Sequence, residues 1–162
     1  MIAAARPNRL WVLALTFIVA LMLATMPLPA WASLWRPVWV AMVLVYWCIA
    51  LPNRVGIATG WFVGLLVDVL TSALLGQNAL GLALVAYFAL KLHQRIRVYP
   101  LGQQAVVVGI LLIDYLALMQ LVTTLVHAST GYGFWLPAVT SMLLWPWLFV
   151  ILRDVRRRAN VS

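Results

Sequence analysis

The sequence predicts an all-α integral membrane protein, a compact single-domain bundle of six transmembrane helices over residues 1–162 with both termini in the cytoplasm. Three observations lead there. The chain is 66% hydrophobic and 9% charged, with a mean hydropathy of +1.05, whereas soluble domains carry about 45–50% apolar and about 25% charged residues. Its apolar residues gather into six runs separated by basic or turn-forming residues. Eleven Lys and Arg face three acidic residues, and ten of the eleven fall on one side of a six-span arrangement. Six spans of about 20 residues leave no room for a separate soluble catalytic domain. Because the basic residues sit between apolar runs, the net charge of +8 reads as positive-inside anchoring and not as a nucleic-acid surface.

The first run, 10–26, follows Arg6 and Arg9 and stops at Pro27. With Ala30-Trp31-Ala32 behind it, it imitates a signal peptide. Its 17 residues exceed the roughly 7–15 of a signal-peptide core, so residues 1–32 are expected to be retained. The second run, 38–51, is bounded by Pro37 and Pro52; the third, 56–75, begins after Arg54. The fourth, 78–90, ends at Lys91, and Gly76-Gln77-Asn78 suits a tight turn before it because Gly and Asn accept positive φ. The second and fourth are short and must borrow flanking residues or thin the bilayer. The fifth, 105–126, and the sixth, 134–152, complete the set, with Pro146 expected to kink the last. An N-in arrangement places Arg6, Arg9, Arg54, Lys91, Arg95, Arg97, Arg153, Arg156, Arg157 and Arg158 inside and only Arg36 outside. Trp31, Trp35 and Trp135 suit the outer interface, and Tyr99 the inner one. The last four arginines form a juxtamembrane anchor suited to anionic lipid or to an acidic protein surface.

An acidic residue within a span is costly, so Asp68 and Asp114 are the functional candidates. Asp68 lies 14 residues beyond Arg54, about 21 Å along a helix, and Asp114 ten beyond Gln104, about 15 Å, so both are expected near the middle third of the membrane. Gly56, Gly60, Gly64, Asp68, Ser72 and Gly76 recur every four residues. Such a stripe predicts a close crossing of small-xxx-small type, with Trp61, Phe62, Leu65 and Leu66 left for lipid or partners. Asp68 then serves either as a hydrogen-bonded packing group or in binding a ligand, proton or partner. Asp114, Ala117, Gln120, Thr124 and His127 form a second polar stripe, suited to a hydrated groove or to interhelical hydrogen bonds. No Lys or Arg shares the depth of either Asp, which predicts protonated or water-contacted carboxyls and tolerance of Asp68→Asn.

Enzyme signatures are missing: the chain has no G-x-S-x-G, H-E-x-x-H or Walker A pattern, and no catalytic, cofactor or metal residues are expected. His127 reads as a solvated interfacial residue, and the single Cys48 excludes an intrachain disulfide.

Arg36-Pro37-Val38-Trp39, Tyr46-Trp47, Leu51-Pro52-Asn53-Arg54-Val55-Gly56, Gly60, Gly64-Leu65-Leu66-Val67-Asp68 and Leu75-Gly76 together resemble the rod shape-determining protein MreD family. Leu144-Trp145-Pro146-Trp147 and the arginines behind it resemble that family's C-terminus. The resemblance implies a non-enzymatic subunit of the bacterial inner membrane that acts in cell elongation with MreC, MreB, and RodA with its partner transpeptidase. It also implies an architecture similar to the S-components of energy-coupling-factor vitamin transporters. That likeness supplies the rival reading of a small-molecule or lipid-binding module. Membrane lipids are expected neighbours in either case, and nucleic acid is not.

Overall fold

A computed structural model describes residues 10–128 and 131–159; Arg6 and Arg9 lie outside the described residues. Every regular element described is helical: α1 (Leu10–Thr25), α2 (Ala30–Ser33), α3 (Trp39–Ala50), α4 (Ile57–Thr71), α5 (Gln77–Val98), α6 (Leu101–His127) and α7 (Leu136–Ala159). Helices α6 and α7 are long and apolar enough to cross a membrane, while α1, α3 and α4 are shorter apolar helices. The one-turn α2 is an element the apolar pattern did not suggest. Pro146 lies within α7, which continues on both sides of it.

Helix α6 begins four residues before the expected run and α7 continues seven residues past Leu152, while α4 and α5 depart from theirs for local reasons. Ser72 takes a left-handed conformation at φ 52° and closes α4 at Thr71, four residues before the apolar run ends. Ala73 N–H then bonds back to the Asp68 carbonyl at 3.0 Å. Helix α5 instead runs eight residues past Leu90, because a basic sequence ends a span without ending a helix. It stops at Tyr99, which is extended (φ −73°, ψ 145°) because a proline disfavours the helical region for the residue before it.

Helix α3 is the centre, packed against α1, α5, α6 and α7. Every residue from Val40 to Ile49 is buried, the expected fate of a helix apolar on all sides. Two polar ties fix its position. Trp47 Nε1 donates to Thr16 Oγ1 of α1 at 2.9 Å, and Val38 N–H donates to Ser141 Oγ of α7 at 2.9 Å. The ring of Tyr46 meets Phe149 edge-on at 5.5 Å. Arg36 bends back over the end of α1, donating to the carbonyls of Ala24 and Met26 that the helix itself leaves open.

Helices α4 and α5 form an antiparallel hairpin that is closer than any side chain would permit. A Cβ on Gly64 would lie 2.3 Å from the Ala79 Cα, and one on Gly60 would lie 2.8 Å from the Leu82 carbonyl oxygen. Gly56 has ordinary clearance, with Leu90 at 3.6 Å. The expected stripe is therefore a helix-packing surface only as far as Asp68. Ser72 and Gly76 have left the helix and shape the turn, Gly76 at φ +98°. On the other face Trp61, Phe62 and Leu66 are exposed.

Alanine substitutions along α4 should follow these clearances. Gly64→Ala is expected to destabilise most, by about 1–3 kcal/mol or more, because the obstacle is backbone. Gly60→Ala should cost less, while Gly56→Ala and Leu66→Ile should be tolerated. Thermal unfolding of the purified variants in detergent checks the order.

Candidate functional site

At the hairpin turn, α5 begins with N–H groups that its own helix leaves unbonded. Within a protein that lives in lipid these groups need partners from the protein. Asp68, in the last turn of α4, supplies them. Its Oδ2 accepts from Gly76 N–H at 2.9 Å and Ala79 N–H at 3.4 Å. Its Oδ1 accepts from Asn78 N–H and from Asn78 Nδ2, both at 2.9 Å. The side chain is 1% exposed. The carboxylate also lies at the positive end of the α5 dipole.

The network extends to α6. Tyr115 donates its hydroxyl to Asn78 Oδ1, and Gln77 Nε2 donates to the Met119 carbonyl at 3.3 Å and to Thr123 Oγ1 at 3.4 Å. Gly81 keeps the two helices near enough for this, since a Cβ there would meet Met119 and Tyr115 at 2.6–2.7 Å. Asn78 joins the three helices, with its amide nitrogen on Asp68 and its amide oxygen on Tyr115. Gln77, Asn78, Gly81 and Tyr115 were not among the residues singled out from the sequence. The sequence marks Gln77 and Asn78 only as parts of a tight turn, and Gly81 lies outside the four-residue register.

This geometry adds two features to the reading of the sequence. Asp68 lies three residues from the end of α4 and not midway along a longer helix. Its charge is answered without Lys or Arg, by four N–H donors distributed over both oxygens. Both oxygens act as acceptors in this arrangement.

Asp114 differs in every respect. It is exposed on the flank of α6, beside a cleft of about 130 Å³ between α5 and α6. Thr124 Oγ1 donates to Gln120 O at 2.8 Å within α6, while Ala117 and His127 are exposed. Among the basic candidates, Arg54 sits in the α3–α4 turn, Arg153 and Arg156 are half-buried, and Arg157 and Arg158 are exposed. Cys48 is buried in α3, and no group of metal-ligating side chains occurs among the described residues.

Asp68→Asn is therefore expected to fail where the sequence alone suggested tolerance, since its amide sets N–H against N–H. The expected cost is about 1.5–3 kcal/mol, for one hydrogen-bonded charge lost. Asp68→Leu, which removes both acceptors, should cost more. Folded yield and thermal midpoint across wild type, Asn and Leu variants read this order.

A family model described as rod shape-determining protein MreD matches residues 5–155. A protein of Haemophilus influenzae named rod shape-determining protein MreD is 32% identical over 148 residues, covering 90% of each chain. No solved structure matches the chain. The match runs through the α3–α4 turn, the glycine-lined hairpin and Asp68 and ends within α7, and the chain belongs to the rod shape-determining protein MreD family.

Proposed function

We propose that this protein is a scaffold subunit of the bacterial cell-elongation complex in the inner membrane, required for rod shape and lateral peptidoglycan synthesis through association with MreC. In this reading the segments that contain α1, α3, α4, α5, α6 and α7 cross the membrane with both termini in the cytoplasm, the shorter ones with their flanking residues or by local thinning of the bilayer. The basic ends of α5 and α7 anchor the inner side, and MreB, RodA and its partner transpeptidase act with it. Family membership supports the role in shape determination. The contrast between the two intramembrane carboxylates supports the scaffold mechanism.

Asp68 is fully engaged in holding α5, so its charge is spent within the fold. Asp114 is turned outward, 13 residues from each end of the 27-residue α6 and about 20 Å from either. Its exposed neighbours Ile110, Ile113 and Leu84 are apolar. A carboxylate left facing lipid at that depth costs at least about 2.5–3.5 kcal/mol. A transmembrane helix of MreC that offers a hydrogen-bond donor there would relieve the cost, and the adjoining cleft would receive one of its side chains.

The rival reading, a small-molecule or lipid-binding module with the S-component architecture, implies a different companion, an ATPase module or a retained ligand. Co-purification from membranes separates the two. Asp114→Leu should leave membrane abundance unchanged, reduce MreC retention about tenfold and fail to restore rod shape. Retention of an ATPase module in place of MreC would overturn the scaffold reading. A reporter fused after Arg158 that signals the periplasm would overturn the topology.

A further inference from the structure

Helices α3, α5 and α7 end, and α6 begins, around a cavity of about 400 Å³ at the basic end of the bundle. Its wall carries the guanidinium groups of Arg97, Arg153 and Arg156 together with Gln104 and the apolar Ile49 and Phe149; no carboxylate lines it. Three arginines beside three helix C-termini could serve simply to answer the last carbonyls, and Arg97 does so, donating to Ile49 O at 2.7 Å. Two other groups do not fit that role. Arg153 Nε and Gln104 Oε1 are buried without a hydrogen-bond partner. Gln104 is only 4% exposed, and its amide nitrogen is committed to the carbonyls of Ile96 (3.0 Å) and Tyr99 (3.1 Å). The opposite end of the amide is thereby fixed as an unanswered acceptor. Native structures leave few such groups, and each calls for an explanation.

We propose that this cavity binds a phosphate ester, the headgroup of an anionic phospholipid. Arginine is suited to phosphate because its planar fork matches two oxygens at once. The phosphate oxygens take the donors of Arg153 and Arg156, and a headgroup hydroxyl supplies the donor that Gln104 Oε1 lacks. Ile49 and Phe149 give the glycerol and first methylenes an apolar wall. A cavity of this size falls in the range that holds small ligands. The site is specific in a way that the exposed arginines of α7 are not, and it stands apart from the partner surface at Asp114. Inorganic phosphate shares the chemistry and is the other source.

Native mass spectrometry of the full chain in detergent tests this with three probes: dioleoyl phosphatidylglycerol, dioleoylglycerol and inorganic phosphate. Phosphatidylglycerol is expected to stay bound and dioleoylglycerol to be lost. Arg153→Gln and Arg156→Gln should each lower lipid retention about tenfold, while Arg158→Gln, which removes an equal charge from an exposed position outside the cavity, should change it by less than about twofold. Phosphate binding that depends on the same two arginines and displaces the lipid supports the site with the soluble anion as occupant. Equal loss in Arg158→Gln, or dioleoylglycerol held as firmly as phosphatidylglycerol, overturns the proposal. If Arg153→Gln lowers the folded yield, Arg156→Gln carries the comparison alone.

Discussion

The four N–H groups that converge on Asp68 are the constraint around which the rest of the bundle is arranged. Helix α4 is 15 residues long, about 22 Å, shorter than the roughly 30 Å of a bilayer's hydrocarbon core. The turn that follows it begins α5 with N–H groups that need partners from the protein. A carboxylate reaching from the last turn of α4 solves that problem without lengthening either helix. It also fixes the register of the hairpin, because Asp68 can bond to residues 76–79 only when Gly60 and Gly64 face Leu82 and Ala79.

From that hairpin the packing propagates outward. Asn78 passes the network to Tyr115 and so places α6 against α5, with Gly81 providing the clearance. Helix α5 also packs against α3, which packs against α1 and α7. The sparse polar contacts of the interior lie at joints between elements: Thr16 with Trp47, Ser141 with the start of α3, Gln77 with α6. Each interhelical hydrogen bond in a membrane protein is worth only about 0.6 kcal/mol on average. Their contribution is therefore to register more than to total stability, and the backbone approach of α4 to α5 dominates the contact.

The sequence shows what depends on residue size and on charge, and hides what depends on orientation. Gly60 and Gly64 were legible because a close crossing requires small residues in phase. Asp68 was legible because a carboxylate in an apolar run is costly. The donors on Asp68 were not, since three of the four are backbone N–H groups and the backbone is the same at every position. The outward aspect of Asp114 was equally hidden. In a membrane the core and the solvent are both apolar, so the alternation that marks the inner face of a soluble helix is weak, and Ile113 on the outside resembles Leu112 on the inside. Gln104 gave no signal for a similar reason: a polar residue in the first turn of α6 reads as an ordinary helix start.

The glycines at the helix contacts differ in what stands opposite them, and this sets how each can change through evolution. At Gly81 the obstacles are the side chains of Met119 and Tyr115, and at Gly109 the side chain of Met142. A larger residue at either place can be repaired by a smaller one across the interface, so such positions can drift in compensated pairs. At Gly64 the obstacles are the Cα and nitrogen of Ala79 and the carbonyl oxygen of Asn78. Every amino acid carries those atoms. No exchange at residue 79 or 78 creates space, and a lineage that loses this glycine has no second-site route back except to move the helix and abandon the Asp68 cap.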